Sequence, residues 1–274
     1  MKISAIQLNS GGDIQLNLDN VARLVSSCAS SDSPDLIALP EYFSFLSGNP
    51  AEMQDAARKL GGMDIPGFLG SLARDNDVSI HAGSSLVEED GKFFNQSFIY
   101  NQSGELIATY RKVHLFDTVL PGGKKMYESD FIDRGHQLTT YDKGDFRFGC
   151  SICFDIRYPE HYARLVKLGA NVLLIPSAFT YATGAEHWEV LLRARAIESQ
   201  CYVVAPAQVL SFSDGKYMSW GHSMIVDPWG TIVAQASEEV GYTTATISTA
   251  TVDRVRKRIP VQANRYWGTD HEQQ

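Results

Sequence analysis

The sequence lacks several features that would place a protein in a narrow class. Its only cysteines are Cys28, Cys150, Cys153 and Cys201, too few for a disulfide scaffold in 274 residues, so we expect a reducing, cytoplasmic setting. Basic residues are not in excess, because 24 Lys and Arg stand against 32 Asp and Glu, a formal net charge of −8. Binding to a phosphate backbone requires clustered cations, so a nucleic-acid partner is not expected.

Long apolar runs are also missing. The N-terminal segment MKISAIQLN alternates like a β-strand, and neither a secretory signal nor a membrane span is visible, so no membrane partner is expected. Internal repeats, low-complexity tracts and linkers are absent as well, which favours one domain over residues 1–274 with an irregular tail from about residue 261. The basic cluster at 254–260 is interpreted as the solvated face of a helix.

What the sequence does contain is an alternation of helix and strand patterns. ISAIQLN and DLIALPE have the pattern of strands, and CYVVAPAQVL is predicted as another. Hairpin turns are predicted at EEDG, NQSG and DPWG. Interleaved helices and hairpins predict an α/β fold in which helices cover β-sheets. Helices are predicted over residues 17–30, 50–60, 66–77, 159–169, 186–200 and 253–260.

The stretch CSIC at 150–153 raises the question of which cysteine carries chemistry. Phe146, Phe148 and Ile152 alternate around it, which indicates extended backbone, so Cys150 and Cys153 should point to opposite faces. A redox CxxC usually places its thiols at a helix N-terminus. A zinc site needs further ligands, and no second CxxC or paired histidine follows. The spacing therefore disfavours a redox or metal role for the pair.

Cys153 alone is better placed for catalysis. It follows a strand and precedes a predicted helix that begins near Pro159 and stops at Gly169. A thiol at such a turn is held on rigid neighbours, and free backbone N–H groups of the turn can receive developing negative charge. The alternative is that Cys153 is a small buried apolar residue, as free cysteines often are.

A nucleophilic cysteine requires a base and a cation elsewhere in the chain. None of the seven histidines lies in a recognisable protease motif, and His114 and His222 are interpreted as packed or hydrogen-bonded. Glu41 in IALPEYF and Lys112 in ATYRKVHLF each follow an apolar strand and have bulky apolar neighbours. In one desolvated pocket the carboxylate would be a base with a raised pKa, and the ammonium would stabilise an oxyanion. Taken singly, each has the alternative of a solvated strand-end residue.

These motifs together resemble a known family. LPEYF, YRKVHLF and SICFDIRYPE, in this order, are similar to the three signatures of the nitrilase superfamily of carbon–nitrogen hydrolases, and the resemblance runs from ISAIQLN to RKRIP. HWEVLLRARAIESQCYVVAPAQ and GHSMIVDPWGTIVA are most similar to the amidase branch that hydrolyses deaminated glutathione. The resemblance implies a four-layer αββα sandwich that pairs, through helices beside the nucleophile, into an extended sandwich in a dimer.

The resemblance also implies roles for individual residues. Glu41 would be the general base and later the acid, and Cys153 would form a thioester with the acyl group of an amide. Lys112 and the backbone N–H of Phe154 would stabilise the tetrahedral intermediate. Glu128, in KKMYESDF, would orient Lys112 and the hydrolytic water; its alternative is an exposed loop carboxylate. No metal or organic cofactor is implied.

Substrate recognition is expected to involve a local cation, because deaminated glutathione and keto-acid amides carry carboxylates. Arg157 lies four residues past the nucleophile and is suited to bidentate carboxylate binding; the alternative is a structural pair with Asp155 or Glu160. Phe179 could supply backbone contacts, and Thr183 a hydroxyl, to the same carboxylate.

Other functions remain open on the residues alone. An omega-amidase acting on alpha-ketoglutaramate fits the helix from residue 186 less closely, and an N-carbamoyl amide hydrolase would use the same three side chains. A catalytically silent scaffold, or a dithiol sensor built on Cys150 and Cys153, would be a different class of protein. The stretches 117–135 and 180–186 are expected to be loops that shape the pocket.

Overall fold

The computed structural model describes residues 1–119, 123, 125–212 and 215–264. Within these ranges, two mixed six-stranded β-sheets with flanking helices make up most of the fold, which confirms the predicted α/β class. The α-helices are α1 (Ile14–Asp32), α2 (Pro50–Gly61), α3 (Ile65–Asp75), α4 (Pro159–Lys167), α5 (Tyr181–Ser199) and α6 (Thr249–Arg258).

The strands divide into two sheets and two hairpins. The first sheet contains β1 (Lys2–Gln7), β2 (Leu36–Ala38), β3 (Ser79–Glu89), β4 (Lys92–Tyr100), β5 (Leu106–Arg111) and β16 (Gly241–Thr246). The second sheet contains β8 (Thr140–Lys143), β9 (Phe146–Cys150), β10 (Val172–Leu174), β11 (Tyr202–Ala205), β14 (Met224–Val226) and β15 (Ile232–Gln235). The hairpins are β6 (Asp117–Val119) with β7 (Lys125–Tyr127), and β12 (Val209–Phe212) with β13 (Tyr217–Trp220).

The two sheets have the same order of parallel and antiparallel strand pairs, although the sequence has no visible repeat. The first sheet runs β16-β1-β2-β3-β4-β5 and the second β8-β9-β10-β11-β14-β15. In both, the first ladder is antiparallel, the next two are parallel and the last two are antiparallel. Parallel neighbours require a crossover connection, usually a helix. The crossovers are α1 and then α2 with α3 in the first sheet, and α4 and then α5 in the second.

The core follows from the apolar faces of these elements. One cluster contains buried side chains of both sheets, such as Ile3 and Leu36 from the first and Phe148 and Val172 from the second. A second cluster lies between the first sheet and the helices α1 and α3. Each fully buried aliphatic side chain of this size stabilises the fold by about 1.5–3 kcal/mol. The two sheets therefore share one core, and the strand ends at its edge have rigid surroundings.

The helix starts show which local signals were informative. Asp13 caps α1 by accepting a hydrogen bond from the Leu16 N–H at 3.1 Å, and Asp64 caps α3, where Pro66 lies in the first turn as predicted. The start of α5 was predicted too late, because Thr183 and Gly184 resemble a loop. Gly184 is instead a packing position: a Cβ there would lie 2.2 Å from the Cβ of Trp220.

Two further expectations are corrected. CYVVAPAQVL was predicted as one strand, but it contributes β11 to the second sheet and β12 to a hairpin, with Pro206, which has no N–H to donate, between them. The expected loop 180–186 is mostly the first turns of α5, and the described part of the expected loop 117–135 contains the β6–β7 hairpin and a short 3-10 helix. Residues 261–264 form a turn, and the rest of the predicted irregular tail lies outside the described residues. None of the helices in the described ranges is long and apolar enough to cross a membrane.

Candidate active site

Three strand ends converge on one cavity of about 630 Å³. Glu41 follows β2, Lys112 follows β5, and Cys153 follows β9 as the first residue of a short 3-10 helix, Cys153–Arg157. Glu41 and Lys112 are each 2% exposed, and Cys153 is 7% exposed. Glu41 and Lys112 are therefore not solvated strand-end residues, which was the alternative interpretation for each of them. Glu128 also lines the cavity.

The backbone presents the Cys153 thiol in an uncommon conformation. Cys153 has a φ of 45°, in the left-handed region that side chains other than glycine seldom adopt. Its N–H donates to the Pro176 carbonyl at 2.9 Å, which ties the turn to the end of β10. Burial raises the pKa of the thiol well above its ordinary value, and the nearby Glu41 carboxylate raises it further. The resting sulfur is therefore a protonated thiol.

Glu41 is held by three donors. Its Oε1 accepts from Lys112 Nζ at 3.0 Å and from Asn95 Nδ2 at 2.9 Å, and its Oε2 accepts from the Ala178 N–H at 2.8 Å. The Cys153 thiol lies close enough to Glu41 to lower the pKa of that carboxyl slightly. Burial raises the pKa of Glu41, and the Lys112 ammonium only partly opposes this. Glu41 is thus a carboxyl group suited to accept and return a proton.

Lys112 is the cation of the site. Its Nζ lies 3.0 Å from Glu41 Oε1 and 2.9 Å from Glu128 Oε2. Burial alone would lower the pKa of this amine, but the Glu128 and Glu41 carboxylates outweigh burial and raise it. Lys112 therefore remains charged at neutral pH, beside the sulfur that would attack a carbonyl.

Glu128 lies in the short 3-10 helix Glu128–Asp130 and is 6% exposed, so it is not an exposed loop carboxylate. Its Oε1 accepts from the Tyr42 hydroxyl at 2.7 Å, and its Oε2 accepts from the Phe116 N–H at 2.6 Å. Burial, followed by the charge of Glu128, raises the pKa of Tyr42 well above its ordinary value. Tyr42 consequently stays protonated and donates to Glu128.

The cavity wall is largely apolar and aromatic, with a few charges. Among the described residues, four cationic side chains line it against three carboxylates, although the whole chain has a net charge of −8. Since Lys112 is already paired with two carboxylates, the remaining cations give the outer cavity a local positive balance. The charged lining residues are Glu41, Lys112, Lys125, Glu128, Asp130, Arg157 and Lys216.

The structure also places the predicted substrate-contacting residues on this wall: Phe154, Arg157, Phe179 and Thr183 all line the cavity. The Arg157 guanidinium carbon lies 5.7 Å from the ring centroid of Phe154 and 5.5 Å from that of Phe179. The Phe179 carbonyl accepts from the Trp220 N–H at 2.9 Å, and the Thr183 hydroxyl lies 2.8 Å from that of Thr180. The Phe179 carbonyl and the Thr183 hydroxyl, which we expected to contact a substrate, thus already have hydrogen-bond partners within the protein.

The remaining cysteines lie apart from this chemistry. Cys28, Cys150 and Cys201 are free and fully buried, and none of them is among the described residues that line the cavity. Burial raises the pKa of Cys28 to about 11 and that of Cys201 to about 12. A raised pKa is common to these thiols and to Cys153, so what separates Cys153 is its place at the cavity beside Glu41 and Lys112.

Several site residues were not anticipated from the sequence. Asn95 and Tyr42 contact the two carboxylates, and the Ala178 N–H contacts Glu41. The signal for Asn95 was a polar residue inside the apolar strand pattern FFNQSFIY, where a buried amide needs partners. No sequence pattern reveals the backbone N–H of Ala178, because its position depends on how the two sheets meet.

One group among the described residues has the ligand chemistry of a metal site. The side-chain nitrogens and oxygens of His114, Asp155 and His161 lie within 4.8 Å of one another. The Asp155 carboxylate, however, already accepts four hydrogen bonds, the number of acceptor sites that a carboxylate offers. These contacts assign Asp155 to hydrogen bonding rather than to a cation.

Known proteins resemble this chain over nearly its whole length. The family model described as carbon–nitrogen hydrolase matches residues 2–257. The deaminated glutathione amidase of Mus musculus is 39% identical over 269 residues, covering 96% of this chain and 82% of the mouse protein. The deaminated glutathione amidase of Synechocystis sp. is 38% identical over 262 residues, covering 94% of this chain and 95% of that relative.

A solved structure extends the likeness to the fold. The crystal structure of the C. elegans NitFhit protein matches with a TM-score of 0.91 and 37% sequence identity, covering 97% of this chain. This chain spans 65% of the NitFhit chain, so the match concerns one part of that longer protein. The motif resemblance is therefore supported both by sequence and by fold.

Proposed function

The chain belongs to the carbon–nitrogen hydrolase family, the nitrilase superfamily, and we propose that it is a cysteine-dependent amidase whose substrate is deaminated glutathione. The observation that carries the proposal is the buried cluster of Cys153, Glu41, Lys112 and Glu128 at one cavity. A thiol, a base and a cation in hydrogen-bonding range are what acyl transfer from an amide requires. The names of the mouse and Synechocystis relatives supply the substrate.

Acylation begins with the Cys153 thiol beside the Glu41 carboxylate at the cavity. As the sulfur attacks the amide carbonyl carbon, the thiol proton moves to Glu41 and the carbonyl oxygen becomes an oxyanion. The Lys112 ammonium stabilises that charge, together with the N–H of Phe154 in the first turn of the 3-10 helix, where N–H groups lack intrahelical acceptors. Because burial raises the pKa of Glu41, this carboxylate is a stronger base toward the thiol proton than an ordinary carboxylate.

Collapse of the tetrahedral intermediate breaks the carbon–nitrogen bond. Glu41 donates its proton to the leaving nitrogen, an amine departs, and the acyl group remains on Cys153 as a thioester. Glu41 then removes a proton from water as the water oxygen attacks the thioester carbon. Breakdown of this second intermediate releases the carboxylic acid and returns the proton to the Cys153 sulfur, so each turnover consumes one water.

Glu128 acts on this sequence through Lys112. Its carboxylate lies 2.9 Å from Lys112 Nζ, and Tyr42 and the Phe116 N–H fix its two oxygens. Glu128 therefore keeps the ammonium charged and oriented, and its proximity to Glu41 helps to raise the pKa of that base. We also assign to Glu128 the orientation of the hydrolytic water.

The size and charge of the cavity support a carboxylate-bearing substrate with a bulky leaving group. A cavity of about 630 Å³ falls in the range of sites for drug-sized ligands and is generous for a small monoamide such as alpha-ketoglutaramate. Arg157 is positioned between the Phe154 and Phe179 rings, with its Nη2 3.3 Å from His187 Nδ1, and Asp155 is committed to other donors. We assign Arg157, with Phe179 and Thr183, to a substrate carboxylate.

The decisive experiment measures product release from a panel of amides. Deaminated glutathione, alpha-ketoglutaramate and an N-carbamoyl amide are each incubated with the protein and with Cys153→Ala as the blank, and the acid and amine products are quantified. The proposal expects the highest kcat/KM for deaminated glutathione. A preference for alpha-ketoglutaramate would transfer the assignment to an omega-amidase, and turnover of none of the amides would contradict the substrate class.

We also propose the finer architecture that the family resemblance implies, a four-layer αββα sandwich that pairs into a dimer. The shared core of the two sheets supports the layering. Exposed apolar side chains on α5, including Val190 at 66% exposure and Ile197 at 50%, support a contact beside the nucleophile turn. Sedimentation velocity should show a dimer, and Val190→Glu should shift it toward the monomer; a wild-type monomer at all concentrations would refute the pairing.

A further inference from the structure

Asp155 is a buried carboxylate close to the nucleophile that the reaction sequence leaves without a role. It lies two residues after Cys153 and is fully buried. Its Oδ2 accepts from the Ile152 N–H at 2.8 Å and from the Tyr110 hydroxyl at 2.7 Å. Its Oδ1 lies 3.0 Å from the His114 N–H and 2.7 Å from His114 Nδ1. All four acceptor sites of an ionised carboxylate are therefore used.

The donors belong to two chain segments that carry different catalytic groups. Ile152 immediately precedes Cys153, whereas Tyr110 and His114 stand two residues on either side of Lys112. One carboxylate thus binds the nucleophile turn and both flanks of the lysine. Burial opposes ionisation of Asp155, but the hydrogen bonds and nearby charges, led by that from His114, outweigh burial and lower its pKa. Asp155 is consequently ionised at neutral pH and acts only as an acceptor.

The geometry of the turn explains why such a link is needed. A residue with a φ of 45° persists only where its surroundings hold it. The Cys153 N–H is held by the Pro176 carbonyl, but the preceding peptide is held by Asp155 through the Ile152 N–H. Without that acceptor, the turn can relax and displace the sulfur from Glu41 and Lys112.

We infer that Asp155 is a positioning residue that fixes the Cys153 turn relative to Lys112. The inference rests on the proposed function, because it concerns the nucleophile of that reaction. It adds a residue that touches neither substrate nor reacting atoms and acts through the backbone of both catalytic segments. Displacements of about 1 Å at a reacting centre can cost on the order of 100-fold in rate.

The first test is Asp155→Asn. An amide has one acceptor oxygen, so its NH2 group must face either the Ile152 and Tyr110 donors or the two His114 donors, and one arm of the link is lost. We expect kcat to fall by about 100-fold, while KM for the amide changes by less than about threefold because the cavity wall is untouched. A kcat within about threefold of wild type in the folded variant would overturn the inference.

Two matched variants at His114 test the same inference if Asp155→Asn does not fold. His114→Ala removes the Nδ1 donor, whereas the side-chain amide of His114→Asn can place an N–H at the same position. We expect kcat to fall by about tenfold in His114→Ala, in line with the loss of one buried charge-assisted hydrogen bond, and to recover largely in His114→Asn. Equal kcat in wild type and His114→Ala, or equal loss in both variants, would overturn the link through Nδ1.

Two controls separate positioning from stability and from the substrate assignment. Val203→Ala removes buried volume from β11 of the same sheet and leaves the hydrogen bonds of Asp155 in place, so it should lower Tm and leave kcat of the folded protein unchanged. Alkylation of Cys153 by iodoacetamide, followed by mass spectrometry, reports the turn without any amide substrate. Slower alkylation in Asp155→Asn than in wild type and Val203→Ala supports positioning even if no amide is turned over, and equal rates in all three would contradict it.

Discussion

The two six-stranded sheets have equivalent backbone segments at the cavity, but these segments carry different side chains. Leu36 of β2 corresponds to Val172 of β10, because each is the first residue of its strand that pairs with the next parallel strand, β3 or β11. The segments that follow are Leu39-Pro40-Glu41-Tyr42-Phe43 in the first sheet and Ile175-Pro176-Ser177-Ala178-Phe179 in the second. A carboxylate therefore stands in one sheet where a hydroxyl stands in the other.

The same comparison applies to the nucleophile. Ile3 pairs with Leu36 in the first sheet, and Phe148 pairs with Val172 in the second, so Leu8 corresponds to Cys153. Leu8 is a buried apolar residue, whereas Cys153 lines the cavity. Glu41 therefore has Ser177 as its counterpart in the second sheet, and Cys153 has Leu8 as its counterpart in the first, so the base and the thiol stand at different positions of the shared backbone pattern. The Ala178 N–H of the second sheet donates to Glu41 of the first at 2.8 Å.

The difference between the sheets lies in how each holds its catalytic group. The first sheet contributes two buried charges, Glu41 and Lys112, which are fixed by ion pairs and hydrogen bonds. The second contributes a neutral thiol, fixed by a backbone with positive φ. Removing one buried charge leaves its partner unpaired, whereas removing a neutral thiol leaves no such cost. The two sheets should therefore respond differently to substitution.

The largest effect on activity is expected for Cys153→Ala in the second sheet. Loss of the nucleophile should lower kcat by at least about 10⁴-fold, as for other enzymes that depend on covalent catalysis. Because no charge loses its partner, Tm should stay within a few degrees of wild type. Steady-state kinetics and calorimetry measure the two quantities, and residual activity above a hundredth of wild type would exclude Cys153 as the nucleophile.

Lys112→Met in the first sheet should damage both activity and stability. Loss of the oxyanion cation should lower kcat on the order of 10²–10³-fold. The variant also leaves the Glu41 and Glu128 carboxylates buried without their cation, which should lower the free energy of unfolding by about 3–5 kcal/mol. Urea unfolding measures this, with Arg111→Met at the partly exposed ion pair with Glu89 as the matched control, which should cost less than about 1 kcal/mol. Equal destabilisation by the two variants would contradict the cost assigned to the buried ion pairs of Lys112.

The pH dependence of activity should reveal the raised pKa of Glu41. As pH falls through that pKa, the base becomes protonated, so the acidic limb of kcat/KM should lie above the ordinary carboxyl value of 4.5. In Glu128→Gln one neighbouring negative charge is gone, so the pKa of Glu41 should fall and the limb should move to lower pH, with kcat reduced by about tenfold to 100-fold. An acidic limb that moves upward in Glu128→Gln would contradict the assigned charge coupling.

The smallest effect is expected outside the catalytic cluster, at Arg157. Arg157→Met keeps much of the side-chain volume and removes the cation, so KM for deaminated glutathione should rise by about tenfold while kcat stays within about threefold. An uncharged amide of similar size provides the control, since its KM should not change. A kcat loss without a change in KM would assign Arg157 to the nucleophile turn instead of the substrate.

Part of the site was predictable because its residues conflict with their local pattern. Glu41 and Lys112 are charges at the ends of apolar strands, and Cys153 precedes a helix start marked by Pro159. The same reasoning placed α1 to α4 and α6 and most of the strands, since apolar periodicity and capping residues act within a few turns. It found α5 as well, but it placed the starts of α5 and α6 about five and four residues too late. In α5 the early Gly184, which packs against Trp220, resembles a loop residue.

What the sequence by itself determined is the set of reactive groups and the local elements that carry them. A thiol, a carboxylate and an ammonium, each after a strand, were identifiable from residue type and spacing, because those features depend on neighbours in the chain. Only the tertiary structure decided that Asn95, the Ala178 N–H and Asp155 complete the site. Their partners lie 54, 137 and 3 residues away along the chain, and even the shortest of these contacts requires the backbone of Cys153 to turn at a positive φ that no residue pattern specifies.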